Sequence, residues 1–150
     1  MRQMVFVGAL VAALAVPAQS VSGQTAPKAG TSLGSVTLSK KVMVDGKPLA
    51  AGTYQVRLTG DQPKPAIGQS PDSEIFVEFL SGGKVVGREV ATVVANADIA
   101  AVAKGMKVAP GGARVDTLKG NDYIRVWINR GANNYFIHRG SVVTLPVPCA

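Results

Sequence analysis

The stretch Thr53-Tyr54-Gln55-Val56-Arg57-Leu58-Thr59 has the clearest periodicity in the 150-residue chain. Tyr54, Val56 and Leu58 alternate with polar residues, so an extended strand here has one apolar and one polar face. A period of two is typical of a β-strand that packs on a core with one side and meets water with the other. The segment therefore predicts a sheet with a single buried face at this strand.

Segments of similar character lie on both sides of this stretch, and Gly- and Pro-rich turns separate them. The further predicted strands are 36–44, 74–80, 84–95, 114–118, 123–129, 134–138 and 141–145. The first carries Lys40 and Lys41 and suits an exposed strand or one broken by a bulge. Residues 60–72 contain three prolines and predict a long loop.

The alanine-rich segment from Asn96 to Lys104 predicts one or two helical turns, with Asn96 able to cap and Gly105 able to end them. Many short strands with one helical connection indicate an all-β fold. We expect an antiparallel β-sandwich or small barrel of about seven to nine strands.

The beginning of the chain predicts a secretory signal peptide over residues 1–23. Arg2 precedes an apolar run over 4–16, and Pro17 and small residues follow. A membrane anchor needs about 20 apolar residues, and this run is shorter. The remainder divides into a flexible leader over 24–34, a single domain over 35–145 and a tail over 146–150. This pattern predicts an exported protein, periplasmic or extracellular, with no membrane span after cleavage.

The single cysteine, Cys149, allows no disulfide within the chain. It is either a free thiol on the tail or the partner of a cysteine in another chain. One cysteine and one histidine do not form a structural zinc site.

The formal charge of +7 is unevenly distributed. Acidic and basic residues balance over 35–103, whereas the C-terminal third is basic. Its cations, opposed only by Asp116 and Asp122, are Lys104, Lys107, Arg114, Lys119, Arg125, Arg130 and Arg139. Such a surface either keeps the protein soluble or attracts polyanions. For an exported protein, the expected partners are anionic envelope polymers, lipid head groups or acidic proteins, before nucleic acid.

The stretch Val44-Asp45-Gly46-Lys47-Pro48-Leu49-Ala50-Ala51-Gly52-Thr53-Tyr54-Gln55-Val56 resembles a hairpin of small exported bacterial β-sandwiches, the carboxypeptidase-regulatory-like and immunoglobulin-like modules. The resemblance implies a short glycine turn, an inward Leu49 and a strand that opens at Gly52 with Tyr54 in the core. Modules of this kind bind, brace or space other components, and the resemblance implies no catalytic residue.

Catalytic patterns are weak in this sequence. His138 lies inside a predicted strand on the same face as Phe136 and is expected to be a packed or surface residue. Glu74, Glu78 and Glu89 could form a carboxylate pair for glycosidic chemistry. They fit better on the solvated face of a hairpin, balanced by neighbouring cations that include Arg88 and Lys84. We therefore predict no catalytic residue, no metal site and no cofactor.

The best candidate for a binding site is the strand face of Tyr123, Arg125 and Trp127, flanked by Arg130, Tyr135 and Arg139. Aromatic rings beside guanidinium groups suit sugar rings, anionic polymers or a protein surface. The alternative is that Trp127 fills a core and that this strand is covered on both sides. Burial of Trp127 separates the two.

Three functions follow. The first is an exported, non-enzymatic binding or structural module that uses this basic aromatic face. The second is a self-assembling subunit that pairs through an edge strand, 36–44 or 141–145, with or without Cys149. The third is a small hydrolase that uses Glu74 with Glu78 or Glu89.

Overall fold

The computed structural model describes residues 28–118, 120 and 122–140. This part of the chain forms β1 (Ser32–Leu38), β2 (Val42–Val44), β3 (Lys47–Leu49), β4 (Gly52–Leu58), β5 (Glu74–Ser81), β6 (Lys84–Ala95), β7 (Ala113–Leu118), β8 (Tyr123–Arg130) and β9 (Asn133–Gly140). A 3-10 turn at Pro71–Ser73 and the short helix α1 (Ile99–Ala103) complete it. The predicted signal peptide, the first four residues of the leader (24–27), the strand over 141–145 and Cys149 lie outside the described residues.

Seven strands form one antiparallel sheet in the order β1-β4-β5-β6-β9-β8-β7. The two end strands approach each other, since β1 lies against β7 and β8, so the sheet nearly closes into a small barrel. The hairpin of β2 and β3 is a separate two-stranded sheet. The predicted all-β antiparallel fold is thus confirmed. No helix among the described residues has the length and apolar character needed to cross a membrane.

The main core lies inside this barrel, where the inward side chains of the strands meet. Its members from the three most regular strands are Tyr54, Val56, Leu58, Ile75, Val77, Phe79, Ile124, Val126 and Ile128. Each set alternates with outward residues, as the period of two predicts. The inward faces assigned to these strands from sequence are confirmed.

The predicted strand over 36–44 is instead two strands. β1 starts earlier than expected, because Ser32 pairs with Arg57 of β4, and it ends at Leu38. β2 then folds back on β3 across a tight turn in which Asp45 and Gly46 both have positive φ, 50° and 68°. Such a two-residue turn matches the twist of the strands it joins. β2 is not part of the main sheet, because its backbone pairs with β3.

Two features implied by the resemblance at 44–56 are present in the structure. Leu49 is buried, and so is Tyr54, whose hydroxyl donates to the Ala50 carbonyl at 2.9 Å. β4 begins at Gly52, whose φ of 159° is close to the extended range.

The hairpin of β2 and β3 fills an opening in the barrel wall. β6 pairs with β9 only from Thr92 to Ala95, and the earlier part of β6 makes no ladder with β9. The hairpin packs against both strands at this opening. A Cβ on Gly87 of β6 would lie 2.3 Å from Val44 Cγ1 of β2, so only glycine allows this close approach.

The helical connection is present but shorter than the predicted range. Asp98 occupies the N-cap position of α1 and makes no capping bond with its side chain. Lys104, in the left-handed conformation with φ 44°, ends the helix before Gly105. The expected capping role of Asn96 is wrong, because Asp98 is the N-cap residue and Asn96 Oδ1 instead accepts a hydrogen bond from Asn134 Nδ2 at 2.8 Å. The Asn96 amide nitrogen donates to the Gly131 carbonyl at 3.1 Å, in the β8–β9 turn.

Candidate functional site

Trp127 lies on the outer face of β8 and is 1% exposed. Residues 96–112, which we call the cover, contain α1 and cross the outer face of β8 and β9. Trp127 and Phe136 pack there in a second core with Ala103, at a ring separation of 5.1 Å. The sheet is therefore covered on both sides at this point. Trp127 is a core residue and is not part of an exposed binding face.

The six residues predicted as one binding face do not share an exposed surface. Tyr123 is exposed, at 49%, whereas Tyr135 points into the barrel and is buried. Arg130 is exposed at the end of β8. With Trp127 and Tyr135 buried, the expected aromatic face is reduced to Tyr123.

Arg125 is held by a local ion pair rather than presented to solvent. Its side chain is 13% exposed and its Nη2 lies 2.8 Å from Asp116 Oδ2. Asp116 also binds Arg114, so one carboxylate serves two guanidinium groups. Burial would raise the pKa of Asp116, but the hydrogen bonds from Arg125 and Arg114 outweigh it and hold that pKa below its usual value. Asp116 therefore stays charged at neutral pH.

His138 lies on the outer face, opposite Arg125 in the pairing of β8 with β9. Burial and the nearby Arg125 charge lower the pKa of His138 below its ordinary value. It is therefore neutral at neutral pH. Among the described residues, His138 makes no hydrogen bond with a carboxylate or a hydroxyl that would form a hydrolytic triad.

Glu89 is buried, which corrects its expected place on a solvated face. Its side chain forms an ion pair with Arg139 of β9 and accepts a hydrogen bond from the Asp45 backbone N–H at 2.6 Å. This network ties the β2–β3 turn to the opening between β6 and β9. Arg139 is therefore structural in this setting, and burial lowers the pKa of its guanidinium.

Glu89 cannot form a catalytic carboxylate pair with Glu74 or Glu78, because they lie on opposite faces of the sheet. Glu74 and Glu78 project from the outer face of β5. Glu89 projects from the inner face of β6, which it shares with Gly87 and Ala91. Glu78 is engaged with Arg57 at 2.8 Å. A sugar bond cannot lie between carboxylates on opposite sides of one sheet.

A cavity of about 240 Å³ lies between the cover and the outer face of β8 and β9. Apolar and amide side chains share its wall. They are Asn96, Ile99, Met106, Lys107, Val108, Trp127, Asn129 and Asn134. We call it the asparagine cavity, since three carboxamides line it.

Hydrogen bonds fix the floor of this cavity. Trp127 Nε1 donates to Asn134 Oδ1 at 2.8 Å, and Asn134 Nδ2 donates to Asn96 Oδ1 at 2.8 Å. Asn129 Nδ2 donates to the Val108 carbonyl at 3.0 Å, which links β8 to the cover. Asn129 Oδ1 is buried and has no hydrogen-bond partner within the described structure. Asn129 therefore places an unpaired, buried carboxamide oxygen behind the wall of the cavity.

Sequence reasoning missed the asparagines, although a signal was available. Asn129 and Asn134 flank the β8–β9 turn and are paired directly across the hairpin. Their symmetrical placement around residues 130–133 predicts that they face each other. The contribution of Asn96 could not be found in this way, because it joins them from a distant segment.

The cations around the cover differ from the paired arginines of the sheet, although exposed lysines elsewhere, such as Lys41, Lys47 and Lys64, also take part in no ion pair among the described residues. Arg57 and Arg88 are paired with Glu78 and Asp61. In the part of the chain that the structure describes, Lys104, Lys107 and Arg130 take part in no ion pair. The cover and the end of β8 therefore carry unneutralised positive charge.

Comparisons with known protein families, with curated proteins and with solved structures found no match to this chain. The described residues contain no cluster of His, Cys, Asp or Glu that could hold a metal ion.

Proposed function

We propose that this chain is an exported, non-enzymatic binding module that holds an anionic envelope polymer at the cover and the adjoining end of β8. The proposal of export is supported by the signal-peptide pattern over residues 1–23. The observation that carries the binding proposal is that three unpaired cations, Lys104, Lys107 and Arg130, are grouped on the cover and the adjoining end of β8.

The charges that engage the polymer differ from those first expected. Arg125 and Arg139 are held by Asp116 and Glu89, so an anionic ligand would have to displace a carboxylate from each. Lys107 and Arg130 have no such competitor among the described residues. Positive charges that are not neutralised within the protein attract polyanions at low salt, and salt screens this attraction.

The test is retention of the mature protein on an immobilised polyuronate column in a salt gradient. We expect the K104Q/K107Q/R130Q variant to elute at lower salt and to bind the free polymer roughly tenfold more weakly, because exposed ion pairs each contribute about 0.2–1 kcal/mol.

The matched control is K41Q/K47Q/K64Q, which removes the same net charge from exposed positions far along the chain. It should elute close to the wild type. Equal shifts for both triple variants would show that only bulk charge matters and would refute the proposed surface. Failure of the wild-type protein to bind the polymer at low salt would refute the function itself.

A further inference from the structure

We propose that the asparagine cavity binds one sugar unit of the polymer, and that this unit is an acidic sugar whose carboxylate pairs with Lys107. This inference rests on the function proposed above. It adds a specific binding site for one sugar unit to the attraction between the polymer and the basic surface.

The size of the cavity sets the size of the ligand group. Pockets for drug-sized ligands occupy about 300–1,000 Å³. The asparagine cavity, at about 240 Å³, is smaller and accepts a group of about one ring. A polymer would therefore place a single unit inside and leave its other units on the basic surface outside.

The hydrogen-bonding capacity of the wall favours hydroxyl groups. Asn129 Oδ1 is buried and accepts no bond. Asn134 Oδ1 accepts one bond, from Trp127, although a carboxamide oxygen can accept two. Both oxygens lie just behind the accessible wall, so a ligand hydroxyl that donates to either one requires a small rotation of that carboxamide. The same hydroxyl can accept a bond from a free amide hydrogen.

The rest of the wall is apolar and suits the C–H surface of a sugar ring. Ile99, Met106 and Val108 belong to the cluster that packs around Trp127. A purely apolar ligand would fill this space but leave Asn129 Oδ1 without a partner, and an unpaired buried polar group costs about 1–3 kcal/mol. A ligand with both an apolar face and hydroxyl groups satisfies the two parts of the wall together.

Lys107 selects the charge of the ligand. It lines the cavity, and within the described structure no carboxylate pairs with it. A cationic group would be repelled by this ammonium group, whereas a carboxylate on the sugar ring would be attracted. The combination favours a hexuronate over the corresponding neutral hexose.

Trp127 provides a direct readout, because it is the only tryptophan in the chain and it lines the cavity. Titration of the ¹⁵N-labelled protein with glucuronate should shift the single indole N–H resonance in a saturable manner. Glucose should produce the same shift with affinity roughly two- to fivefold weaker, the range expected for one exposed ion pair.

Variants separate the contributions of the wall. K107M should bring glucuronate affinity down to that of glucose, while the control K64M should leave the preference unchanged. N129L should abolish binding of both sugars. Because N129L also removes the bond to the Val108 carbonyl, the second variant I99F is needed. It fills the cavity from the cover while keeping the asparagine hydrogen bonds, and it should abolish binding as well.

Several outcomes would refute this inference. The first is no saturable shift with glucuronate, as expected if water alone satisfies Asn129. The second is equal affinity for glucose and glucuronate in the wild type. The third is unchanged binding in folded N129L and I99F. If the wild type is still retained by the polyuronate column in any of these cases, the proposed function survives and only the sugar site fails.

Discussion

The inner and outer faces of β8 are both buried, but they are buried by different kinds of structure. On the inner face, Ile124, Val126 and Ile128 pack against other strands of the barrel. On the outer face, Trp127 packs against Phe136 and the cover, which contains only one short helix. The inner face is closed by regular pairing, whereas the outer face is closed by a segment with little pairing of its own.

This difference explains why the candidate site lies on the outer side. Strands that close a barrel leave little room for polar groups between apolar side chains. The cover leaves a cavity lined by amides, and its attachment depends on individual hydrogen bonds such as that from Asn129 to the Val108 carbonyl. The outer face of β8 and β9 forms the floor of the cavity, with Trp127, Asn129 and Asn134. The cover forms the other wall and contributes Lys107 and the apolar side chains.

Removal of Trp127 is the strongest test of whether the outer cluster is a true core. We expect Trp127→Ala to reduce the free energy of unfolding by about 3–5 kcal/mol. Ile128→Ala, on the inner face, should reduce it by a similar amount, about 2–5 kcal/mol. Urea denaturation followed by circular dichroism measures both.

The variant Trp127→Phe separates packing from hydrogen bonding on that face. It keeps a ring but removes the N–H that reaches Asn134, so we expect a loss of about 1–3 kcal/mol. A loss of well under 1 kcal/mol for Trp127→Ala would show that packing under the cover contributes little to stability. The outer face would then not be a second core.

A second test concerns the inner side, at the opening that the β2–β3 hairpin fills. We expect Gly87→Ala to cost about 1–3 kcal/mol, because the new methyl group would overlap the Val44 side chain. Adding Val44→Ala makes room, so the double variant should be more stable than the sum of the single losses predicts. Thermal or urea unfolding of the four proteins gives the coupling. Simple additivity would show that the hairpin does not pack tightly on β6.

The inner face could be predicted from the sequence, and the outer face could not. A period of two shows which residues share a face, but not what covers that face. Around Trp127 both sets of alternating residues contain large apolar side chains, so the pattern left open whether the tryptophan was exposed. Only the path of a distant segment, 96–112, decides this.

Charge pairing shows the same limit. The bond between Asp116 and Arg125 follows from the register of β7 with β8, which pairs these two residues directly. That register was within reach of a hairpin argument from sequence. The pairing of Glu89 with Arg139 was not, because it depends on an opening between two strands that no local pattern records.

The smallest expected effect concerns the outer-face pair of Asp116 and Arg125 and its dependence on pH. At pH 7 we expect Asp116→Asn to be less stable than the wild type by about 1 kcal/mol, the usual contribution of a hydrogen bond. The folded pKa of Asp116 lies below that of the unfolded chain, about 3.9. Its contribution is therefore complete above this value and is lost as the pH falls through the folded pKa, where the wild-type carboxyl becomes protonated. Urea denaturation of both proteins from pH 7 to pH 2.5 should show a difference that is constant down to about pH 5 and then narrows. A difference that stays the same at low pH would mean that the charge of Asp116 does not stabilise this face, and the outer side would then be held by Trp127 and the asparagines without an ionic contribution.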